Sequence, residues 1–154
     1  YSAHLCVLDG RDVVYVARAS AVGELAAGVG VGTRLPAHCT AIGRVLLMTL
    51  PPQELSALYP ESAFSLTSEQ GPKTPQDLIA LLDGDNARGH AISESFYQPG
   101  VSAVAYPLRD RDGNVLASIS VMVPRSVLPL DLKTSLSTQV ETAAREIEGF
   151  LQAC

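Results

Sequence analysis

Two runs of strand-forming residues, Val101–Arg109 and Val115–Val123, flank Asp110-Arg111-Asp112-Gly113-Asn114. Alternating β-branched runs on either side of an Asp-Gly turn predict a hairpin, because Gly113 tolerates the positive φ of a tight reversal. The second run also sorts its faces. Val115, Ala117, Ile119, Val121 and Val123 form a uniformly apolar face, and Leu116, Ser118, Ser120 and Met122 a mixed one. The simpler expectation is core on the first face and solvent on the second. The alternative is a cavity lining, where small hydroxyls give directed hydrogen bonds and apolar neighbours exclude water.

The rest of the chain supplies partners for this hairpin. His4–Leu8 and Val13–Arg18 around Asp9-Gly10-Arg11-Asp12 predict a second hairpin. Glu24–Val31 reads as a weak strand followed by a glycine turn. Pro36–Leu50 shows helical spacing, with Thr40 or His38 near its start, and Pro51-Pro52 ends it and opens another helix. Residues 60–73 read as a loop. Thr74-Pro75-Gln76-Asp77 is a helix start, with Leu78, Ile79, Leu81 and Leu82 expected inward and Gly84 and Gly89 marking the exit. His90–Glu94 is a short strand. Asp131–Ala153 is an amphipathic helix, with Leu132, Leu136, Val140, Ala143, Ile147 and Phe150 on its apolar side. Hairpins between neighbouring strands imply an α+β domain with a mainly antiparallel sheet. At 154 residues and 47% hydrophobic content the chain suits one domain, 1–154, with a real core.

Composition narrows the function. Eleven Lys and Arg against 16 Asp and Glu give a net charge of -5, which disfavours stand-alone nucleic-acid binding. No apolar run reaches membrane-spanning length, so no membrane partner is expected. Cys6, Cys39 and Cys154 lack the spacing of a disulfide framework, which fits a reducing, cytoplasmic setting. Neither the cysteines nor the three histidines show zinc-ligand spacing, and no metal or cofactor is expected. There is no GxSxG elbow, and Gly28-Val29-Gly30-Val31-Gly32 lacks the Lys-Ser/Thr of a phosphate loop. His38 and Cys39 are adjacent, so their side chains diverge. A buried or capping His38 beside a small hydrophobic Cys39 is favoured over a catalytic pair.

Leu35-Pro36-Ala37-His38-Cys39-Thr40-Ala41-Ile42-Gly43-Arg44 opens a helix with small residues. Free backbone N–H groups at such a start attract an anion, and Ala41 and Gly43 let a carboxylate or another backbone approach closely. Gly43 is equally compatible with simple helix–sheet packing. Arg18 and Arg44 are within reach of such a carboxylate, although each reads more simply as a solvated charge.

The run LPAHCTAIGRVLL, followed by RGHAISESFYQPGVSAVAYPLRDRDGNVLASISVMVP, resembles the effector-binding C-terminal domain of IclR-type bacterial transcriptional regulators. The resemblance implies a GAF-like fold, a curved antiparallel sheet flanked by helices with a pocket on its concave side. It implies no catalytic residues, hence no enzyme, and a homodimer or tetramer. Promoter DNA is bound only through an N-terminal winged helix-turn-helix, which this chain, beginning with Tyr1 rather than Met, is expected to lack. Tyr15-Val16-Ala17-Arg18 and Thr33-Arg34-Leu35-Pro36-Ala37 are similar to the subgroup that senses aromatic acids such as protocatechuate or hydroxybenzoate. Carried over by position, the ligand site falls on Ala41 and Ile42 for the carboxylate, on Ser93, on Val101 and Ala103, and on Ser120 and Met122. Ile42 departs from a smaller family residue, Ser93 from an acidic one and Met122 from a hydroxyl. These changes favour a more apolar organic acid, aromatic or dicarboxylic, over a short 2-oxo acid. Two other functions compete: a small cysteine-dependent hydrolase using Cys39, and a pure oligomerisation module. The chain alone is expected to give no sequence-selective shift of DNA in a gel assay at physiological salt, and a selective shift contradicts this reading.

Overall fold

The computed structural model describes residues 1–20, 29–61, 64, 71–95, 98–127 and 130–153. Six strands form one sheet: β1 (Ser2–Asp9), β2 (Asp12–Ser20), β3 (Arg34–Pro36), β4 (Ala91–Glu94), β5 (Val101–Arg109) and β6 (Val115–Pro124). Their order is β3-β2-β1-β6-β5-β4, and every neighbouring pair is antiparallel. Four helices cover it: α1 (Ala41–Leu47), α2 (Pro52–Leu58), α3 (Pro75–Arg88) and α4 (Leu130–Ala153). This is the expected α+β architecture. Gly10 and Gly113 take positive φ, 61° and 85°, in the two hairpin turns.

The two faces of β6 are used differently from the simpler expectation. Leu116 at the start of the mixed face is 51% exposed, as a solvated face requires, whereas Ser118 and Ser120 are buried, 0% and 2% exposed, and Met122 is half-buried, so this part of the face is interior. It lies over the α1 side, in a core that includes Cys6, Val13, Tyr15, Ala41, Val45, Leu47 and Ala105. The apolar face, with Ala117, Ile119, Val121 and Val123, packs toward Leu136, Val140 and Ala144 of α4. Val115 leaves this group. A register shift at Leu108/Arg109 turns it to the α1 side.

Other corrections have local causes. The predicted helix from Pro36 is shorter. β3 ends at Pro36, a 3₁₀ turn covers Ala37–Cys39, and Thr40 is extended (φ -115°, ψ 143°) before α1 begins. The Thr40 hydroxyl accepts from the Gly43 amide at 3.1 Å, so Thr40 and not His38 caps α1. Of the expected Glu24–Val31 strand, residues 24–28 lie outside the described residues, and Val29–Val31 is not strand; β3 pairs with β2 instead. On α3 the Thr74/Asp77 capping box and Pro75 behave as predicted. Leu78 and Leu82 are buried, but Ile79 is 44% exposed and Leu81 half-buried, since one side of the helix meets the core. Gly84 sits inside α3, which ends at Gly89 in the left-handed region. On α4, Ala144 is more buried than Ala143, and Phe150 lies beyond the sheet, 77% exposed.

Arg44 is not a solvated charge. It is 1% exposed, and its Nε lies 3.1 Å from Oδ2 of Asp85, itself fully buried on α3. Its Nη2 donates to the Ile92 carbonyl of β4. Burial pulls the Arg44 guanidinium below its usual range and lifts the Asp85 carboxyl, against the attraction of each for the other. Arg88 also reaches Asp85 but is 47% exposed. Removing one partner of a buried pair strands the other, so Asp85→Ala is expected to cost about 3–5 kcal/mol in urea unfolding. Arg88→Ala is expected to cost under about 1 kcal/mol. Equal small losses contradict this account.

Candidate functional site

Three contacts fix the placement of α1. A Cβ on Gly43 would overlap the backbone of Ala37, so only glycine permits this close approach of helix to 3₁₀ turn. The contact is with that turn and not with the sheet. Ser118 on β6 donates its hydroxyl to the Ile42 carbonyl at 2.8 Å. The Arg44–Asp85 pair fixes the other side of the helix.

In the first turn of α1, the amide of Gly43 bonds to Thr40 Oγ1 and that of Arg44 to the Thr40 carbonyl at 3.0 Å. The amides of Ala41 and Ile42 have no acceptor among the described residues.

A small cavity of about 40 Å³ lies between this turn and strands β4, β5 and β6. All seven residues carried over by position line it: Ala41, Ile42, Ser93, Val101, Ala103, Ser120 and Met122. Strand register explains the convergence. Ser93 stands opposite Ala103, and Ala103 opposite Met122, so three strands place them in one row. Ser120 falls in the next row, opposite Ala105. The walls are mostly apolar, and among them the small side chain of Ala103 leaves room.

Further lining residues escaped the sequence reading. Tyr15 and Leu35 come from β2 and β3, Thr40 and Cys39 from the turn before α1, and Gln98 from the loop before β5. The alternation of Val13 and Tyr15 toward the interior was a usable signal for Tyr15; nothing local marks Gln98. The Ser93 strand leads into Ser95, whose φ is +62° and whose hydroxyl accepts from the Gly100 amide at 3.1 Å. Arg18 reaches the Val29 carbonyl at 3.0 Å, beside the cavity wall, whereas Arg44 is committed to Asp85 and Ile92.

His38 is buried, and its ring meets Tyr59 and Phe64 edge-on, at 5.6 and 5.2 Å between centroids. Cys39 is 1% exposed and its thiol lies 3.7 Å from the Pro36 carbonyl. Burial pushes the Cys6 thiol up to about 12. Among the described residues no group of His, Cys, Asp and Glu is arranged to hold a metal ion, and no helix is long and apolar enough to cross a membrane.

Residues 1–149 match the family described as bacterial transcriptional regulator IclR, C-terminal. The chain therefore belongs to the IclR family of bacterial transcriptional regulators, as its C-terminal domain. Among curated relatives, it is 30% identical to the Pca regulon regulatory protein of Pseudomonas putida over 121 residues, 78% of this chain and 42% of that protein. It thus spans about half or less of that relative's length. The repressor BlcR of Agrobacterium tumefaciens superposes with a TM-score of 0.87 at 28% identity, covering 98% of this chain and 59% of that one. The inducer-binding domain of Acinetobacter PobR, a double mutant solved with 3-hydroxybenzoic acid, shares the fold at 23% identity and TM-score 0.84, with 96% of this chain and 87% of that one covered.

One titration follows from the concave face. Burial, then the charge of Arg18, pushes His4 down to about 4. The unfolded imidazole takes up its proton near pH 6.5, so the folded form binds fewer protons between these values. Stability is then expected to fall as pH drops from about 6.5 to about 4, by about 3 kcal/mol from this group. The check is urea unfolding of the parent chain and His4→Phe across this range. The variant should lose that part of the slope, and identical slopes contradict it.

Proposed function

We propose that this domain senses a small organic acid and thereby controls the DNA affinity of the longer regulator to which it belongs. The observation that carries the reading is the convergence, on one apolar-walled cavity, of two amides with no acceptor among the described residues and the hydroxyls of Ser93 and Ser120. The effector's carboxylate accepts from the amides of Ala41 and Ile42. Its body packs against Val101, Ala103 and Met122, with Ser93 and Ser120 as hydrogen-bonding side groups. Apolar walls suit an aromatic acid, or a dicarboxylate derived from one, better than a short 2-oxo acid. The relationship to the Pca regulon regulatory protein and the 3-hydroxybenzoic acid held by PobR support the aromatic choice.

The domain comprises the whole of 1–154. DNA is contacted through a separate winged helix-turn-helix domain of the full-length cytoplasmic protein, and copies assemble as a dimer or tetramer. An effector shifts such an assembly only by favouring one arrangement over another. Sensing is favoured over hydrolysis because the Cys39 thiol is oriented on a backbone carbonyl and the His38 ring is engaged by Tyr59 and Phe64. A pure oligomerisation module would leave the converging polar groups without a role.

A thermal-shift screen of aromatic and dicarboxylic acids, followed by calorimetry of the best hit, tests the reading, because a true ligand raises stability by mass action. Ser120→Ala is expected to weaken binding about tenfold. Met122→Trp is expected to abolish binding while leaving the unfolding midpoint within a few degrees of the parent. Unchanged affinity in both variants moves the site elsewhere.

A further inference from the structure

The cavity beside α1, about 40 Å³, has room for little more than water, so a wall must give way when an organic acid enters. β4 is the strand with the least to hold it. It is four residues long, lies at the end of the strand order and pairs with β5 alone, whereas β5 and β6 each have two sheet neighbours. Alternation turns Ser93 to the cavity, and Ile92 and His90 to the opposite face. Between Ser93 and His90 the strand is pinned. Nη2 of Arg44 donates to the Ile92 carbonyl, and Arg44 is itself paired with the buried Asp85.

On the outer face His90 ties the start of β4 to α4. Its ring stacks on that of Tyr106 on β5, 4.7 Å between centroids and 14° from parallel. Its Nδ1 lies 3.2 Å from the Arg88 carbonyl, and its Nε2 lies 3.4 Å from Oγ of Ser137 on α4. The same Oγ lies 2.7 Å from the Tyr106 hydroxyl. A carbonyl only accepts, so Nδ1 carries the ring proton. Burial above all holds His90 below its ordinary range; the charge of Arg88 adds to this, and the Arg88 carbonyl, Glu141 and Asp85 oppose it. The neutral ring offers a bare Nε2, Ser137 donates to it, and Ser137 therefore accepts from Tyr106. A proton on Nε2 would reverse Ser137 and leave the Tyr106 hydroxyl without an acceptor in this chain of bonds. The latch and the neutral imidazole thus go together. Arg109, Arg145 and Glu148 line the hollow beside His90, with Arg145 paired to Glu141 and Glu148 accepting from the Arg109 amide.

We propose that β4 is a lever pinned at Ile92: an effector in the cavity displaces Ser93 outward, and the other side of the pin draws His90 away from Ser137 and so releases α4. The inference rests on the reading that the cavity holds an effector, and it names how occupancy leaves the cavity. A strand pinned at one residue turns about it, so what moves outward on one side moves inward on the other. His90 is then a positioning residue, acting on the effector through Ser93 and on α4 through Ser137. α4, 24 residues long, packs on the outer face of the sheet and ends in the exposed Phe150 and Leu151, so its release reaches the surface of the domain. An opened latch admits water to the imidazole and removes its Ser137 partner. Both changes favour the protonated ring, so effector and proton assist each other at His90.

The test is a pH titration of the histidine ring signals by ¹H–¹⁵N spectroscopy, with the His90 signal assigned by its loss in His90→Gln. It is run on the chain alone, on the chain saturated with 3-hydroxybenzoate, the acid held by PobR, and on Met122→Trp, whose side chain fills the cavity without a ligand. The His90 midpoint is expected to rise by about half a unit or more in both filled states. By reciprocity the acid should bind the parent about threefold more tightly below that midpoint than above it, and calorimetry on His90→Gln should lack this part of the pH dependence. An acid that binds and leaves the midpoint in place, or a pH dependence that survives in His90→Gln, overturns the lever and leaves the cavity reading standing. Should 3-hydroxybenzoate not bind, Met122→Trp decides: a raised midpoint upholds the lever, and an unmoved one overturns it. Should Met122→Trp not fold, Ala103→Leu fills the cavity in its place, with the same two outcomes.

Discussion

The buried guanidinium of Arg44 is the constraint on which the rest of the structure depends. Taking such a charge out of water is strongly unfavourable unless it is both paired and hydrogen-bonded. Asp85 and the Ile92 carbonyl meet that requirement together, so α1, α3 and β4 must assume one mutual placement. Gly43 then sets how closely α1 approaches the Ala37 turn, and Ser118 ties the Ile42 carbonyl to the sheet. The outcome is a short helix whose first turn is rigidly aimed, with Ile92 gripped next to Ser93. Polar groups on the two sides of the cavity are thus positioned by the same interaction. Pre-organisation of this kind lowers the ordering cost of binding a small ligand.

The sheet separates two tasks. Its α4 side is occupied by branched residues, Val104, Leu108, Val121 and Val123, packed toward Leu136 and Val140. Its concave side carries small residues on β4, β5 and β6, which leave a cavity where larger ones would fill the core. The same side turns polar toward β1 and β2, at Ser2, His4 and Arg18.

Much of this was legible in the residues, for identifiable reasons. The two long hairpins announced themselves through Gly10 and Gly113, and the α3 start through Thr74, Pro75 and Asp77, because these signals are local. The seven cavity residues came from positional resemblance; the register of β4, β5 and β6 explains why they meet. What misled was the composition of β6. Two serines on one face suggested solvent, but Ser118 is buried because it bonds a helix carbonyl 76 residues distant in sequence. Arg44 misled for the same reason: its partner Asp85 lies on another helix, and no local pattern marks a charge for burial. Gln98 and the Ile92 carbonyl belong to the same class, since their roles exist only once the chain is folded.

The central claim is that an acid enters the concave cavity with its carboxylate on the first turn of α1. An amide-detected ¹H–¹⁵N titration of the chain with the tightest-binding acid measures this directly. The account predicts that the amides of Ala41 and Ile42 show the largest shifts, moving downfield as they gain an acceptor, with smaller changes at Ser93 and Ser120. Large shifts confined to α4 and the outer face of β1 and β2, with Ala41 and Ile42 unmoved, would contradict it.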